Sequence, residues 1–321
     1  MKLSVVIPIY NEEENINPLY AELKGVLNNL EHEHEIVFVD DGSSDSSLVL
    51  LENIQAQDKN VVVVSFRRNF GQTAAMSAGF HYASGDVIAT LDGDMQNDPH
   101  DLPMFLAKMA EGYDLVSGWR HKRQDPFLNR RLPSMIANKV ISVVTGVHLH
   151  DYGCTLKTFN KEITQGINLY GEMHRFIPAI ASGVGSKIAE VQANHRPRRF
   201  GASKYGISRT LRVVLDLMTV KFLLSYGTRP IHVFGMLGMA SGGIGFIIAL
   251  IMTIQRTFFG RPLADRPLLL LAVLLLFMGV QFISMGLLGE LQVRTYHESQ
   301  GKPIYVVRKV LGKREEIDHR S

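Results

Sequence analysis

The stretch ATLDGDMQNDPHDL, residues 89–102, gathers Asp92, Gly93, Asp94 and Gln96 just beyond the apolar run VIATL. Carboxylates this close repel each other unless something positive lies between them. A divalent cation holding a phosphate meets that need, with Asp94 and Gln96 offering hard oxygens to Mg²⁺ or Mn²⁺. Gly93 would let the backbone approach a ligand closely. A surface turn uses the same residue types, so D-x-D alone decides little. A second acidic pair, Asp40 and Asp41 in VDDGSSD, can accept from a ring N–H or a ribose hydroxyl. It can equally build the turn at a helix N-terminus. Tyr10, in PIYNEE, can pack on a base.

These residues need elements to bring them together. SVVIPI, EIVFV, VVVVSF and DVIATL read as strands, with helices of about 12 to 18 residues between them, starting near Glu12, Asp45, Gly71 and Pro99. Apolar strands alternating with helices imply an α/β fold with a mostly parallel sheet covered on both faces. Ligands of such sheets bind beyond the carboxyl ends of the strands, where PIYNEE, VDDGSSD and LDGDMQ all fall. The first strand-to-helix turn lacks G-x-G-x-x-G and the chain has no Walker A sequence, which argues against a dinucleotide or P-loop site.

Residues 231–254 and 267–289 contain no Asp, Glu, Lys or Arg. As helices rising about 1.5 Å per residue, each would exceed the roughly 30 Å hydrocarbon core of a bilayer. A pair of helices in a soluble core is the rival reading. Only QRTFFGRPLADR separates the stretches, so a transmembrane hairpin is expected, with both termini on one side. That side carries Arg212, Lys221, Arg229, Arg294, Lys302, Arg308 and Lys309, against Arg256, Arg261 and Arg266 in the short loop. The bias predicts a cytoplasmic N-terminal region and an integral protein of the cell (inner) membrane.

Cys154 is the only cysteine, so no intramolecular disulfide can form, and a net charge of +3 does not suggest nucleic acid. The expected organisation is an α/β domain over 1–205, an amphipathic juxtamembrane helix over 206–229, the hairpin over 230–290 and a cytoplasmic tail over 291–321. Within the tail, KPIYVVRKVLG should return as a strand or as an interfacial element. Before the hairpin, Leu211, Val214, Leu215, Met218 and Phe222 share one helical face, which suits an interfacial helix or an ordinary core helix. SMIANKVISVVTG, after Pro133, is a second candidate. Gly238 and Gly242 form G-x-x-x-G, which permits packing within the hairpin or between subunits of a homo-oligomer.

Taken in order, VVIPIYNEEENI, VDDGSSDSS and LDGDMQNDP resemble the family 2 glycosyltransferases. NFGQTAAMSAGF, RRLPSMIANKV, DYGCTLKTF and HRPRRFGASKYG resemble the polyprenyl-phosphate branch of that family. The two-helix hairpin is similar to that of bacterial undecaprenyl-phosphate glucosyltransferases. The resemblance implies a GT-A nucleotide-sugar domain and inverting transfer of a hexose, with UDP-glucose as donor and undecaprenyl phosphate as acceptor. It implies that Pro8, Tyr10, Asn11, Glu12, Asp40, Asp41, Asp92 and Gly93 line the nucleotide site, and that Asp92, Asp94 and Gln96 meet the metal. Arg120, Arg130 or its neighbour Arg131, Ser134, Arg198, Ser203 and Lys204 would face phosphate.

These residue types suit such a reaction. Charge grows on a departing diphosphate, where cations stabilise it. A phosphate-monoester acceptor is already largely ionised, its second pKa being about 6, and needs positioning more than a strong base. HRPRRFGASK also suits a solvated stretch attracted to anionic lipid. Two other functions compete. A processive polysaccharide synthase would carry Q-x-x-R-W, yet the single tryptophan, Trp119, sits in SGWR. A non-catalytic scaffold would be expected to lose the acids, and all are in place.

Overall fold

The computed structural model describes residues 1–121, 132–167, 169, 171, 173–197, 217–221 and 303–312, with single helical positions between 277 and 295. The chain divides into two compact units, one of Met1–Val220 with Ile304–Ser321 and one of Lys221–Pro303.

Among the described residues the first unit is built on an eight-stranded sheet, in the order β7 (Ile188–Gln192), β5 (Leu115–Trp119), β6 (Lys157–Asn160), β4 (Val87–Thr90), β1 (Lys2–Ile9), β2 (Glu33–Asp40), β3 (Val61–Phe66) and β8 (Val307–Leu311). The four strands expected from sequence form as β1 (Lys2–Ile9), β2 (Glu33–Asp40), β3 (Val61–Phe66) and β4 (Val87–Thr90). All pairings among them are parallel. Antiparallel strands flank this block. β6 (Lys157–Asn160) pairs with β4 and with β5 (Leu115–Trp119), which in turn pairs parallel with β7 (Ile188–Gln192). The returning C-terminal segment takes the strand alternative, as β8 (Val307–Leu311) antiparallel to β3.

Helix α1 (Glu13–Asn28) buries Ile16, Leu19, Leu23 and Leu27 at helical spacing against Leu3, Val5, Ile7 and Ile9 of β1. The opposite face carries α3 (Gln72–Tyr82), whose small residues Ala74, Ala75 and Ala78 are buried and let it lie close to β1 and β2. Helix α2 (Ser47–Gln57) also packs on β2 and β3. A 3₁₀ turn at Pro99–Asp101 leads into α4 (Leu102–Ala110). At 11, 11 and 9 residues, α2, α3 and α4 are shorter than expected. Farther on are α5 (Leu132–Thr145), α6 (Lys161–Gly166) and α7 (Ile177–Gly183).

The order of the parallel block marks where ligands of such sheets bind. β2 and β3 lie on one side of β1 and β4 on the other, so the loops leaving β1 and β4 diverge at a topological switch point. Pro8 sits there without breaking the sheet. Val6 accepts from Leu91 N, so by alternation Pro8 also faces the β4 side, and β4 has already ended at Thr90. Its missing N–H therefore costs no ladder bond.

In the second unit the described positions Phe277, Val280, Ser284 and Leu288 are helical. Ser284 Oγ donates to the Val280 carbonyl at 2.9 Å. Among the described residues no helix is long and apolar enough to cross a membrane. The stretch 231–254 lies wholly outside them, as do most of 267–289 and Gly238 and Gly242.

Candidate active site

The acidic turn is not the surface turn its composition allows. Asp94 is 7% exposed, Gly93 is buried, and Asp92 and Gln96 are half-buried. Met95 sits between them with φ of 60°, left-handed for a branchless but bulky residue, and its side chain joins the core at 4% exposure. Gly93 has a packing reason. A Cβ there would meet Ile9 Cδ1 at 2.6 Å and the Pro8 carbonyl at 3.2 Å, so the glycine lets this loop pack on the end of β1.

Asp92 is held at both oxygens. Gln72 Nε2 donates to Oδ1 at 2.9 Å, and Thr155 Oγ1 donates to Oδ2. Asn97 Oδ1 ties the turn together, accepting from Asp92 N and from Thr155 Oγ1, each at 3.1 Å. Thr155 reaches this point because β6 runs beside β4, pairing Thr90 with Lys157. Burial, followed by the negative charge of Asp94, pushes the Asp92 carboxyl above its ordinary pKa, against the pull of Thr155, Arg120 and Lys157. Two acids gathered where positive charge is short suit a divalent cation, and Asp92, Asp94 and Gln96 have the oxygen chemistry to hold one.

Beside Asp92 lies a buried charged group. Arg120 donates to Asp151 through Nε at 2.6 Å and Nη2 at 2.9 Å. Burial disfavours the guanidinium charge, but this bidentate pair outweighs it and raises the pKa. Lys157, 2% exposed, donates to the carbonyl of Cys154, and burial lowers its pKa. The Cys154 thiol is buried too and pushed up to about 11, chiefly by desolvation, which leaves no reactive thiolate.

Asp40 and Asp41 are 1% and 3% exposed, and their carboxylates build loops. Asp40 accepts from Ser43 N at 3.1 Å and Ser65 Oγ at 2.9 Å. Asp41 accepts from Phe70 N at 2.7 Å and Gly71 N at 2.9 Å, at the start of α3. Desolvation leads in raising Asp41 to about 6, with Asp40 adding to it and those two N–H groups opposing it. The turn-building alternative thus describes bonds that both acids make. Asn11, with φ of 52°, accepts from Ser44 N at 2.8 Å and joins the β1 loop to the β2 loop. Pro8, Tyr10, Asn11 and Glu12 are half-buried along that edge.

The structure therefore brings Pro8, Tyr10, Asn11, Glu12, Asp40, Asp41, Asp92, Gly93, Asp94 and Gln96 to the carboxyl edge of one sheet. Arg120 stands near Asp92 but is engaged with Asp151. Ser134 is half-buried in the first turn of α5. Arg130, Arg131, Arg198, Ser203 and Lys204 lie outside the described residues. Gln72, Asn97, Asp151 and Thr155 escaped the sequence reading as individual residues. All four lay inside stretches already singled out, NFGQTAAMSAGF, LDGDMQNDP and DYGCTLKTF, but only Asp151 is charged. Glu22, Asp98 and His100 also place ligand atoms within 4.8 Å of one another. Arg196 already neutralises that cluster, at 2.7 Å from Glu22 and 2.6 Å from Asp98.

The family model described as Glycosyl transferase family 2 matches residues 4–167. The chain belongs to that family. As a family 2 glycosyltransferase it is an inverting enzyme. It is 43% identical over 314 residues to the dodecaprenyl-phosphate galacturonate synthase of Rhizobium johnstonii, covering 97% of this chain and 93% of that protein. The undecaprenyl-phosphate 4-deoxy-4-formamido-L-arabinose transferase of Proteus mirabilis is 37% identical over 97% of this chain and 94% of its own. Among solved structures, glucosyl-3-phosphoglycerate synthase from Mycobacterium tuberculosis, in complex with Mn²⁺, UDP and phosphoglyceric acid, superposes with a TM-score of 0.54 at 17% identity, over 70% of this chain and 78% of that one. TarS 1-349 of S. aureus, in complex with UDP-GlcNAc, gives 0.50 at 19% identity over 72% and 69%. These likenesses establish a GT-A-like α/β fold for the family 2 domain.

Proposed function

We propose that this chain transfers a sugar from a nucleotide sugar to a polyprenyl phosphate, with inversion at the anomeric carbon, at the cytoplasmic face of the cell (inner) membrane. The pair of carboxylates at the end of β4, half-buried Asp92 and buried Asp94, with Gln96 beside them, carries this reading. The two relatives named for transfer to polyprenyl phosphates support the acceptor. A divalent cation bound there, Mg²⁺ or Mn²⁺, would supply positive charge to the departing diphosphate. Asp94 and Gln96 would hold it by their oxygens, while Gln72 and Thr155 keep Asp92 in place. Pro8, Tyr10, Asn11, Glu12, Asp40 and Asp41 border the nucleoside. Arg120, Arg130 or Arg131, Ser134, Arg198, Ser203 and Lys204 serve the phosphates of donor and acceptor. The acceptor oxygen is already anionic, so positioning replaces a general base.

A hexose, glucose from UDP-glucose, is the first reading of the donor. A uronic acid is the second, favoured by the relative named for galacturonate. Incubating the full chain with undecaprenyl phosphate and either UDP-glucose or UDP-galacturonate, with product mass as readout, separates the two. Asp94→Asn should lose most transfer while melting as the wild type does. Wild-type turnover by that variant, together with indifference to EDTA, would sink the metal reading.

The uncharged stretches 231–254 and 267–289 support a membrane hairpin between the catalytic domain and the returning tail, with the juxtamembrane segment at the interface. In the described turn 217–221, Leu217 and Val220 are buried while Met218 is 47% exposed. Met218 is the one member of the expected apolar face among the described residues. Helix α5 likewise exposes Met135, Val140 and Val143. A cysteine introduced at Gly260 should be labelled by an impermeant reagent from outside, and a tag after Ser321 should be protected. Labelling of both from the same side would refute this topology.

A further inference from the structure

Gln96 poses a problem that a carboxylate does not. Either end of a carboxylate presents oxygen, but only one end of an amide does, and the other would repel a cation. Something must decide which way the amide points. In the structure Gln96 Nε2 donates to the Arg196 carbonyl at 3.3 Å, and the Gln96 carbonyl accepts from Arg196 N at 2.9 Å. A carbonyl oxygen can only accept, so the amide end that faces Arg196 is the nitrogen. The oxygen is the end left for a metal.

The Arg196 backbone is itself fixed. Its guanidinium donates to Glu22 at 2.7 and 3.0 Å and pairs with Asp98 at 2.6 Å. Glu22 belongs to α1, and Asp98 caps the 3₁₀ turn just after the acidic turn. Neighbouring bonds hold the same strip of chain. Asn194 donates to Asp101 at 2.6 Å and to Asp98 at 2.9 Å, and Asn97 bridges to His195.

We propose that Arg196 is a positioning residue for the metal site: anchored by Glu22 and Asp98, it sets the Gln96 amide so that its oxygen faces the cation. Arg196 touches neither metal nor phosphate in this role, although it lies in a basic stretch. The inference rests on the proposed role of Gln96 as a metal ligand, and the test separates the two.

Mn²⁺ affinity of the full chain in detergent, with UDP present, is read from the electron paramagnetic resonance signal of free Mn²⁺, which needs no turnover. Arg196→Ala keeps the carbonyl but frees the strip of chain that carries it, and should weaken Mn²⁺ binding by up to about tenfold, the lower end of what losing an outer-sphere partner costs. In a Gln96→Glu background the same substitution should change affinity by less than about twofold, because a carboxylate has no wrong end. Glu22→Gln should repeat the pattern more weakly, and it serves where Arg196→Ala does not fold. Equal weakening in both backgrounds, or none in either, would overturn the inference while leaving Gln96 a ligand. Wild-type affinity in Gln96→Ala would overturn the ligand assignment and the inference with it.

Discussion

Asp92 depends on neighbours that carry no charge. Its two oxygens are taken by Gln72 and Thr155, and Asn97 accepts from the same threonine hydroxyl. Thr155→Val keeps the β-branched shape and removes the donor. A hydrogen bond to a charged group contributes about 1.5–3 kcal/mol, so kcat/KM should fall roughly 10- to 100-fold with little change in melting temperature. Steady-state kinetics beside a thermal melt checks this. An unchanged kcat/KM would mean that Thr155 does not hold Asp92 during turnover. The acids were legible in the sequence because two carboxylates and an amide at a strand end demand a reason. Thr155 was not, because it lies 63 residues from Asp92 in the chain and only the course of β6 brings it back. Asp40 and Asp41 were legible as two alternatives, and the bonds they make go to Ser43 in their own turn, to Ser65 on β3 and to the start of α3.

At the scale of elements, the site depends on how closely the loops leaving neighbouring strands can approach. Gly42, just after β2, has φ of +67°, and a Cβ there would lie 2.4 Å from the backbone carbon of Arg68. Neither the left-handed conformation nor a backbone neighbour can easily yield. Gly93 differs, since its nearest obstacle is the tip of the Ile9 side chain at 2.6 Å, which can rotate. Gly42→Ala should therefore cost about 2–3 kcal/mol and Gly93→Ala clearly less. Denaturant midpoints for the two variants test the order, and a smaller loss at Gly42 would contradict it. The strands β1 to β4 were readable because each is a β-branched run. β5, β6 and β7 were not, since LVSGW, KTFN and IAEVQ are short and mixed. KTFN even begins with a buried lysine, which no apolar pattern reveals.

At the scale of the molecule, the sheet edge opposite the site is closed by its own charged group. Glu35, 8% exposed, accepts from Ser4 Oγ at 2.6 Å and from Ser84 N at 2.6 Å, and pairs with Lys2 at 2.9 Å. Burial works to raise its pKa, but these partners outweigh burial and lower it from 4.5. A depressed carboxylate contributes stability above its unfolded pKa and loses it as the pH falls through the lower folded value. Glu35→Gln should be less stable than the wild type at neutral pH, by about 1–3 kcal/mol. Its melting temperature should also fall less between about pH 5 and pH 3. Parallel melting curves across that range would count against this account. The uncharged stretches were the most legible large feature of the sequence, since length and lack of charge need no tertiary context, though they lie mostly outside the described residues.

β8 adds a constraint that hydropathy cannot supply. Because Val307–Leu311 is hydrogen-bonded along β3, the chain leaves a folded body at Val220 and rejoins the same body at Ile304. A path that returns to its starting side cuts any intervening sheet of lipid an even number of times. One crossing or three between Lys221 and Pro303 is therefore forbidden by parity, whatever the sequence between them, unless β8 first comes away from β3.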